Sequence, residues 1–426
     1  MKNIEKGQLF DEKLLNEIRE KFYYVSHDPI ADKDRVFFDN AGGAFRLKAA
    51  EEAFFKADSI PDCPEHRQEQ AIWLQEVQKK GTDDIRMMFN ASEKYQVATN
   101  LTASMVMFEM TRAIIENVPG TNVVTTALEH PSAYDSAKMY AERNGKELRT
   151  AKTNPVTGGV DVEEVVKLVD KDTCCVSVIY GSNISGAIID LESIVRECRK
   201  IKPDLYIICD AVQHTPHDVI DLAKTPVDAI NFAPYKFFGV RGMGFGLLSE
   251  RAAKLPHNQL LAKDACDWEL GSPAVGHFAS MTAVVDYVCW VGSKFIESTD
   301  RRELYVEGME RIKLHERALM YHMLEGTDKV QGLRHMPGVK VFLDYYDLTK
   351  RDFIMAIGID KLGYIEAVEE YEKNDVIVFE RVATSHFSVR MLKSFDMEGA
   401  IRVSPLHCNN IDDIEQFLEI TKKMAQ

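Results

Sequence analysis

The sequence predicts an α/β protein with a large, mainly parallel sheet and a smaller C-terminal α+β domain, and two patterns carry that prediction. In the middle of the chain, short apolar runs (YQVATN, TNVVTTALEH, CCVSVIYG, LYIICDA, DAINFAP, GFGLLS) alternate with amphipathic stretches such as SAYDSAKMYAERNG, DVEEVVKLVD and LESIVRECRKI. Buried parallel strands joined by crossover helices read this way. After the charged segment SKFIESTDRRELYVEGMERIKLHERALMYHMLEG, read as one long helix, the pattern changes to strands with shorter helices: GVKVFLDYY, DVIVFERV and GAIRVSP. A length of 426 residues fits two domains better than one core. The expected division is an N-terminal segment over 1–59 that joins the small domain and the entrance of the site, a large domain over 60–295, and a small domain over 296–426.

Composition narrows the function. The formal net charge is -15 and no long lysine or arginine cluster occurs, which argues against a nucleic-acid surface and against anionic membranes. The start, MKNIEKGQLFDEKLLNEIREKF, is charged and amphipathic, and the chain has no long uninterrupted apolar stretch of the kind that spans a membrane. The eight cysteines, at 63, 174, 175, 198, 209, 266, 289 and 408, form no Cys-x-x-Cys pair, and several sit in apolar runs as small buried hydrophobes. The expectation is a cytoplasmic protein with reduced thiols.

In open α/β sheets, ligands sit beyond the carboxyl ends of the strands, so polar residues that follow an apolar run are the ones to collect. After YQVA comes TNLTAS, where Leu101 and Thr102 lead into a helix whose N-terminus favours a phosphate; an ordinary N-cap explains Thr102 as well. His130 follows VVTTALE, Asn183 follows SVIYGS, Asp210 follows YIIC with Gln213 shortly after, and Lys236 follows AINFAPY. A lysine between a buried strand and a glycine-rich turn needs its amine paired or neutralised. A desolvated lysine can condense with an aldehyde, and an aspartate can keep a pyridine nitrogen protonated; these two groups are what make pyridoxal phosphate an electron sink. A zinc site built from Cys209, Asp210, His214 and His217 is a weaker alternative that leaves Lys236 unexplained. A non-catalytic sensor of the same fold lacks an appended DNA-binding module.

The ordered set FDNAGGA (38–44), EHPS (129–132), SNISG (182–186), DAVQ (210–213), YKFFGVRGMG (235–244), ELGSP (269–273) and IRVSP (401–405) resembles the class V branch of the fold-type I pyridoxal-phosphate enzymes. That branch holds cysteine desulfurases, selenocysteine lyases, kynureninases and an epimerase, and the resemblance spans nearly the whole chain. It implies that Lys236 forms the Schiff base, Asp210 pairs with the pyridine nitrogen and His130 stacks on the ring. It also implies that Asn183 and Gln213 serve the ring-hydroxyl side, and that Thr102 with Leu101 and neighbouring amides holds the phosphate, with Tyr235 as a further ligand. Ser272 would reach the phosphate of a partner subunit, which implies a homodimer. Arg402 would bind the substrate carboxylate, in a corner shared with Asn40, Ala41 and Gly42.

One departure from the pattern stands out. The loop before the carboxylate arginine, ATSHFSVRMLKSFDMEGAIR, carries no cysteine, whereas desulfurases place a persulfide-forming cysteine there. Cys408 comes after Arg402 and reads as structural; His386, beside Phe387, is the candidate small-domain residue for substrate contact or proton transfer. The expected reaction is β-elimination at a C–S or C–Se bond of a small amino acid without a persulfide cysteine. Transamination or epimerisation is the alternative.

Overall fold

Most strands of the large sheet form where the apolar runs lie, and four of them are buried along their whole length. The computed structural model describes residues 2, 4–61 and 65–426, so Cys63 lies outside the described residues. The seven strands are ordered Gln96–Asn100, Gly244–Leu248, Ala229–Phe232, Tyr206–Asp210, Thr173–Ile179, Asn122–Thr126 and Glu147–Ala151. Gly244–Leu248 runs antiparallel to both of its neighbours, and the other pairings are parallel. Every residue of Asn122–Thr126, Thr173–Ile179, Ala229–Phe232 and Gly244–Leu248 is buried, because crossover helices cover both faces.

The sequence reading missed Glu147–Ala151 (ELRTA), an edge strand whose residues are mostly half-exposed and show neither an apolar run nor alternation. It also missed Met355–Ile359 (MAIGI), which is buried throughout and pairs with two strands of a second, antiparallel sheet. That sheet is ordered Val339–Phe342, Met355–Ile359, Gly399–Val403 and Phe379–Val382.

The single long helix expected from Ser293 onward is two helices. One ends at Ser293 and the next runs Arg301–Glu325, started by the Asp300 carboxylate, which accepts from the Glu303 N–H at 2.9 Å. The two helices pack through glycines: a Cβ at Gly292 would lie 2.0 Å from the Leu304 carbonyl oxygen, and one at Gly308 2.1 Å from that of Val288. Any side chain at either position would force the helices apart.

The N-terminal segment stitches the two sheets together and thereby builds one wall of the site. Val36–Phe37 pairs in parallel with Val376–Ile377, and Asn40 N–H donates to the Ser404 carbonyl at 3.1 Å. A few residues later, Ala44 N–H donates to the Tyr235 carbonyl at 3.2 Å and Leu47 N–H to that of Phe238 at 2.9 Å. The loop from Asp39 to Arg46 is therefore pinned between Ser404, just after the strand that carries Arg402, and the segment that carries Lys236.

Candidate active site

A cavity of about 280 Å³ opens at the carboxyl ends of the parallel strands. Its lining includes Leu101, Thr102, His130, Asn183, Asp210, Gln213, Tyr235 and Lys236, so the structure gathers eight of the residues singled out from sequence around one space. The reason is topological: the eight stand at or just beyond the carboxyl ends of five strands of one sheet, and these strands deliver their carboxyl ends to the same edge.

Lys236 is 8% exposed and sits in a short 3-10 turn, Pro234–Lys236, directly after Ala229–Phe232. Burial and the Arg402 charge bring its amine down to about 7, with Asp210 opposing the shift. At neutral pH a large share of the amine is unprotonated, as attack on an aldehyde requires. Asp210, 3% exposed, is shifted upward by burial, while the Val212 N–H donated to its Oδ1 at 3.1 Å and the Lys236 charge pull it back.

His130 is the N-cap of Pro131–Arg143. Its Nδ1 accepts from the Ser132 N–H at 3.2 Å and lies 2.7 Å from the Ser132 hydroxyl, so the neutral ring carries its proton on Nε2. Burial, reinforced by Lys236, Arg381 and Arg390, lowers the ring to about 3 and keeps it neutral. The preceding Glu129 is fully buried and raised to about 8 by desolvation, against hydrogen bonds from Thr126 Oγ1 at 2.7 Å and Ile179 N–H at 2.8 Å. It clamps two strand ends beside the cavity.

Thr102 caps Ala103–Asn117 by accepting from the Met105 N–H at 3.1 Å, so the capping role is real. The N–H groups of Ala103 and Ser104, which no intrahelical carbonyl can reach, belong to residues of the cavity lining. Close approach of this helix start to the sheet depends on Gly244, where a Cβ would lie 2.1 Å from the Ala103 nitrogen.

The remaining candidates lie outside the cavity lining. Arg402 is 3% exposed on Gly399–Val403; its Nη2 donates to Asp39 at 2.6 Å and its Nε has no partner. Asn40 uses its side chain structurally, donating to the Phe37 and Ser404 carbonyls at 3.3 and 3.1 Å and accepting from Phe45 N–H at 3.3 Å. Ala41 offers its carbonyl to Gln213 Nε2 at 3.0 Å, and Gly42 N–H donates to the Asp39 carbonyl at 3.0 Å. Ser272 is exposed and bonds Glu65; His386 is exposed on the 383–388 loop.

Three charged residues escaped the sequence reading. Asp39 is the partner of Arg402. Arg381, 6% exposed on Phe379–Val382, donates to the Phe387 carbonyl at 2.9 Å and leaves its Nε unpaired; burial and the Arg402 charge lower it to about 9. Arg241 lines the cavity and rests 4.2 Å above the Tyr235 ring. The available signal was weak: a lone arginine inside an apolar strand pattern (VFERVA), and a basic residue within the glycine run.

As for metals, His214 bonds Asp352 at 2.9 Å and His217 bonds Glu316 at 2.7 Å, and among the described residues no group of three His, Cys, Asp or Glu side chains is placed to hold an ion.

The donor set fits pyridoxal phosphate on this structure's own terms. A buried amine lowered to about 7, a buried carboxylate, a neutral imidazole and a helix N-terminus share one cavity, and the buried Oδ1 of Asn183, a residue of the same lining, lacks a protein partner. The family model described as Aminotransferase class-V matches residues 66–417. The chain belongs to the class V aminotransferase family. This family is pyridoxal-phosphate-dependent. Within it, the chain is 26% identical over 232 residues to the probable cysteine desulfurase of Mycoplasma genitalium, covering 53% of this chain and 55% of that one. It is 33% identical over 136 residues to the cysteine desulfurase IscS of Buchnera aphidicola, covering 32% of each. The matches thus span about half the length of the first relative and about a third of the second. The apo cysteine desulfurase from Thermococcus onnurineus NA1 superposes with a TM-score of 0.79 at 17% identity, over 96% of this chain and 98% of that one. The cysteine desulfurase CsdA from Escherichia coli gives 0.78 at 16% identity, over 98% and 99%. At such identities the superpositions speak for the fold, which is fold-type I.

Proposed function

We propose that this class V protein acts at the α-carbon of a small amino acid and eliminates its β-substituent at a C–S or C–Se bond without a persulfide cysteine. The single observation that carries the reading is the buried Lys236 amine, brought down to about 7 so that a large share of it is neutral at neutral pH, in one cavity with Asp210. The relatives named as cysteine desulfurases supply the reaction class.

Bound pyridoxal phosphate supplies an electron sink for negative charge developing at the α-carbon. Lys236 would hold the cofactor aldehyde and, once freed, carry the α-proton on its Nζ. Asp210 would keep a proton at the pyridine nitrogen, His130 would cover one face as an uncharged ring, and Asn183 and Gln213 would bond the ring hydroxyl. Arg402 would receive the substrate carboxylate, exchanging or sharing its present bond to Asp39.

The absence of a persulfide step is supported by the cysteines. Among the described residues, none stands between Cys289 and Cys408; Cys408 is fully buried and its thiol is pushed well above the usual range by burial. Sulfur would then leave as a free thiol or sulfide. The same lack of a loop cysteine is what keeps transamination and epimerisation as the second reading.

A homodimer completes the proposal. Leu101, 69% exposed, lines the cavity, Met105 is exposed nearby in the chain, and Leu260, Leu261 and Leu270 are exposed on the 254–274 segment. Glu269 fastens that loop to Thr99, just before Leu101, through bonds of 2.8 and 2.7 Å. We place this dimer in the cytoplasm on the strength of its free thiols.

The test is a product assay of the holoenzyme with cysteine, selenocysteine and related β-substituted amino acids. Elimination from cysteine yields sulfide, ammonia and pyruvate in equal amounts. Alanine with protein-bound sulfur would restore the persulfide route, and a keto acid that retains the β-substituent, or an inverted amino acid, would establish the second reading.

A further inference from the structure

The cavity contains two side chains that can carry positive charge at neutral pH. One is Lys236, whose amine is committed to the aldehyde in the reading above. His130, lowered to about 3 by burial, stays neutral. A phosphate ester bound at the helix start carries between one and two negative charges at neutral pH, and the N–H groups of Ala103 and Ser104 with the Thr102 and Tyr235 hydroxyls supply hydrogen bonds without a formal charge. The other cation of the lining is Arg241.

Arg241 has the geometry of a residue held ready for an anion. It makes neither a hydrogen bond nor an ion pair among the described residues, and its only recorded partner is the face of Tyr235 at 4.2 Å. The Arg46 guanidinium lies 6.0 Å from the same ring, with its Nη1 donating to the Tyr235 carbonyl at 2.8 Å and to that of Ala44. The turn that carries Arg241 is fixed against the phosphate end, since the adjoining strand begins at Gly244, in contact with Ala103, and pairs with Asn100 just before Leu101 and Thr102. Stacking on Tyr235 holds the guanidinium plane, and its edge is left to donate.

We infer that Arg241 is the cationic ligand of the cofactor phosphate, adding a formal charge to the subsite at the helix N-terminus. The inference rests on the pyridoxal-phosphate reading and adds to it a positioning residue that bears charge. It follows that Arg241 discriminates phosphorylated from unphosphorylated cofactor and leaves the lysine chemistry alone.

The experiment titrates the full-length apoprotein with pyridoxal phosphate and, separately, with pyridoxal, following the visible Schiff-base absorbance and protein fluorescence. In Arg241→Ala, pyridoxal phosphate affinity is expected to fall roughly 10- to 100-fold, the effect of losing a hydrogen bond to a charged group. Pyridoxal affinity should change less than about twofold, and Arg241→Lys should recover part of the loss. The pyridoxal arm reports whether the pocket is still folded. Equal losses for both ligands, or no loss for either, would overturn the inference. A wild-type protein that gives no absorbance with either ligand would instead refute the cofactor reading beneath it.

Discussion

The cofactor cavity and the carboxylate corner are adjacent, yet they are built in opposite ways. In the cavity, His130, Asn183, Asp210 and Lys236 each stand at or beyond the end of their own strand of one sheet, and burial is the largest influence on the protonation of His130, Asp210 and Lys236. In the corner, Asp39 comes from the N-terminal segment and Arg381 and Arg402 from neighbouring strands of the small sheet, packed so that one carboxylate serves two buried guanidiniums. The cavity is a set of partners awaiting a known shape. The corner is an electrostatic imbalance that an anion would relieve, because two buried like charges repel and each keeps an unpaired Nε.

The largest expected effect tests the cavity at its centre. Lys236→Ala should abolish the visible absorbance of the holoenzyme and its turnover, with an unchanged circular dichroism spectrum, because the lysine contributes chemistry and little packing. Turnover surviving without added amine would remove Lys236 from its role.

Next comes the corner. Arg402→Ala should lower kcat/KM by about 10²-fold, chiefly through KM, since a bidentate charge-assisted pair is lost, while cofactor binding stays intact. A loss confined to cofactor affinity would mean that the two regions are not separate. Arg381→Met should lower kcat/KM by roughly tenfold and yet leave the thermal midpoint unchanged or higher, because an apolar chain of similar length replaces a costly buried charge. A large drop in the midpoint would show that Arg381 is structural through its bond to the Phe387 carbonyl.

Lys236 also sets a pH signature. Its amine is lowered to about 7, so the neutral form is fully available above that value and is lost as pH falls through it. The rate at which apoprotein acquires its visible absorbance on adding pyridoxal phosphate should be flat above about pH 8 and fall about tenfold per unit well below 7. A profile that keeps rising toward pH 10 would mean an ordinary, hydrated lysine. The smallest effect belongs to Cys408→Ser, which should keep turnover within about twofold and leave no protein-bound persulfide to find by mass spectrometry.

Much of the cavity was legible in the sequence because strand ends are local features. An apolar run predicts a buried strand, and the polar residue after it is delivered to the ligand edge whatever the rest of the chain does; His130, Asn183, Asp210 and Lys236 were all found this way. The helix that restarts at Arg301 was misread because its charged, periodic flanks continue across the break, and the edge strand Glu147–Ala151 was invisible because partial exposure removes the apolar signal. His386 and Ser272, singled out by resemblance alone, stand exposed and away from the cavity lining.

By itself, then, the sequence determined the α/β class, the lysine and aspartate of the cavity and the helix start that lines it, since each depends on short-range periodicity and on what a buried charge requires. Only the tertiary structure decided that Asp39 occupies Arg402, that Arg381 shares its corner and that Arg241 faces the cavity without a counter-ion. Those are relations between segments far apart in the chain, and the energy of a charge is set by the neighbours that folding brings to it.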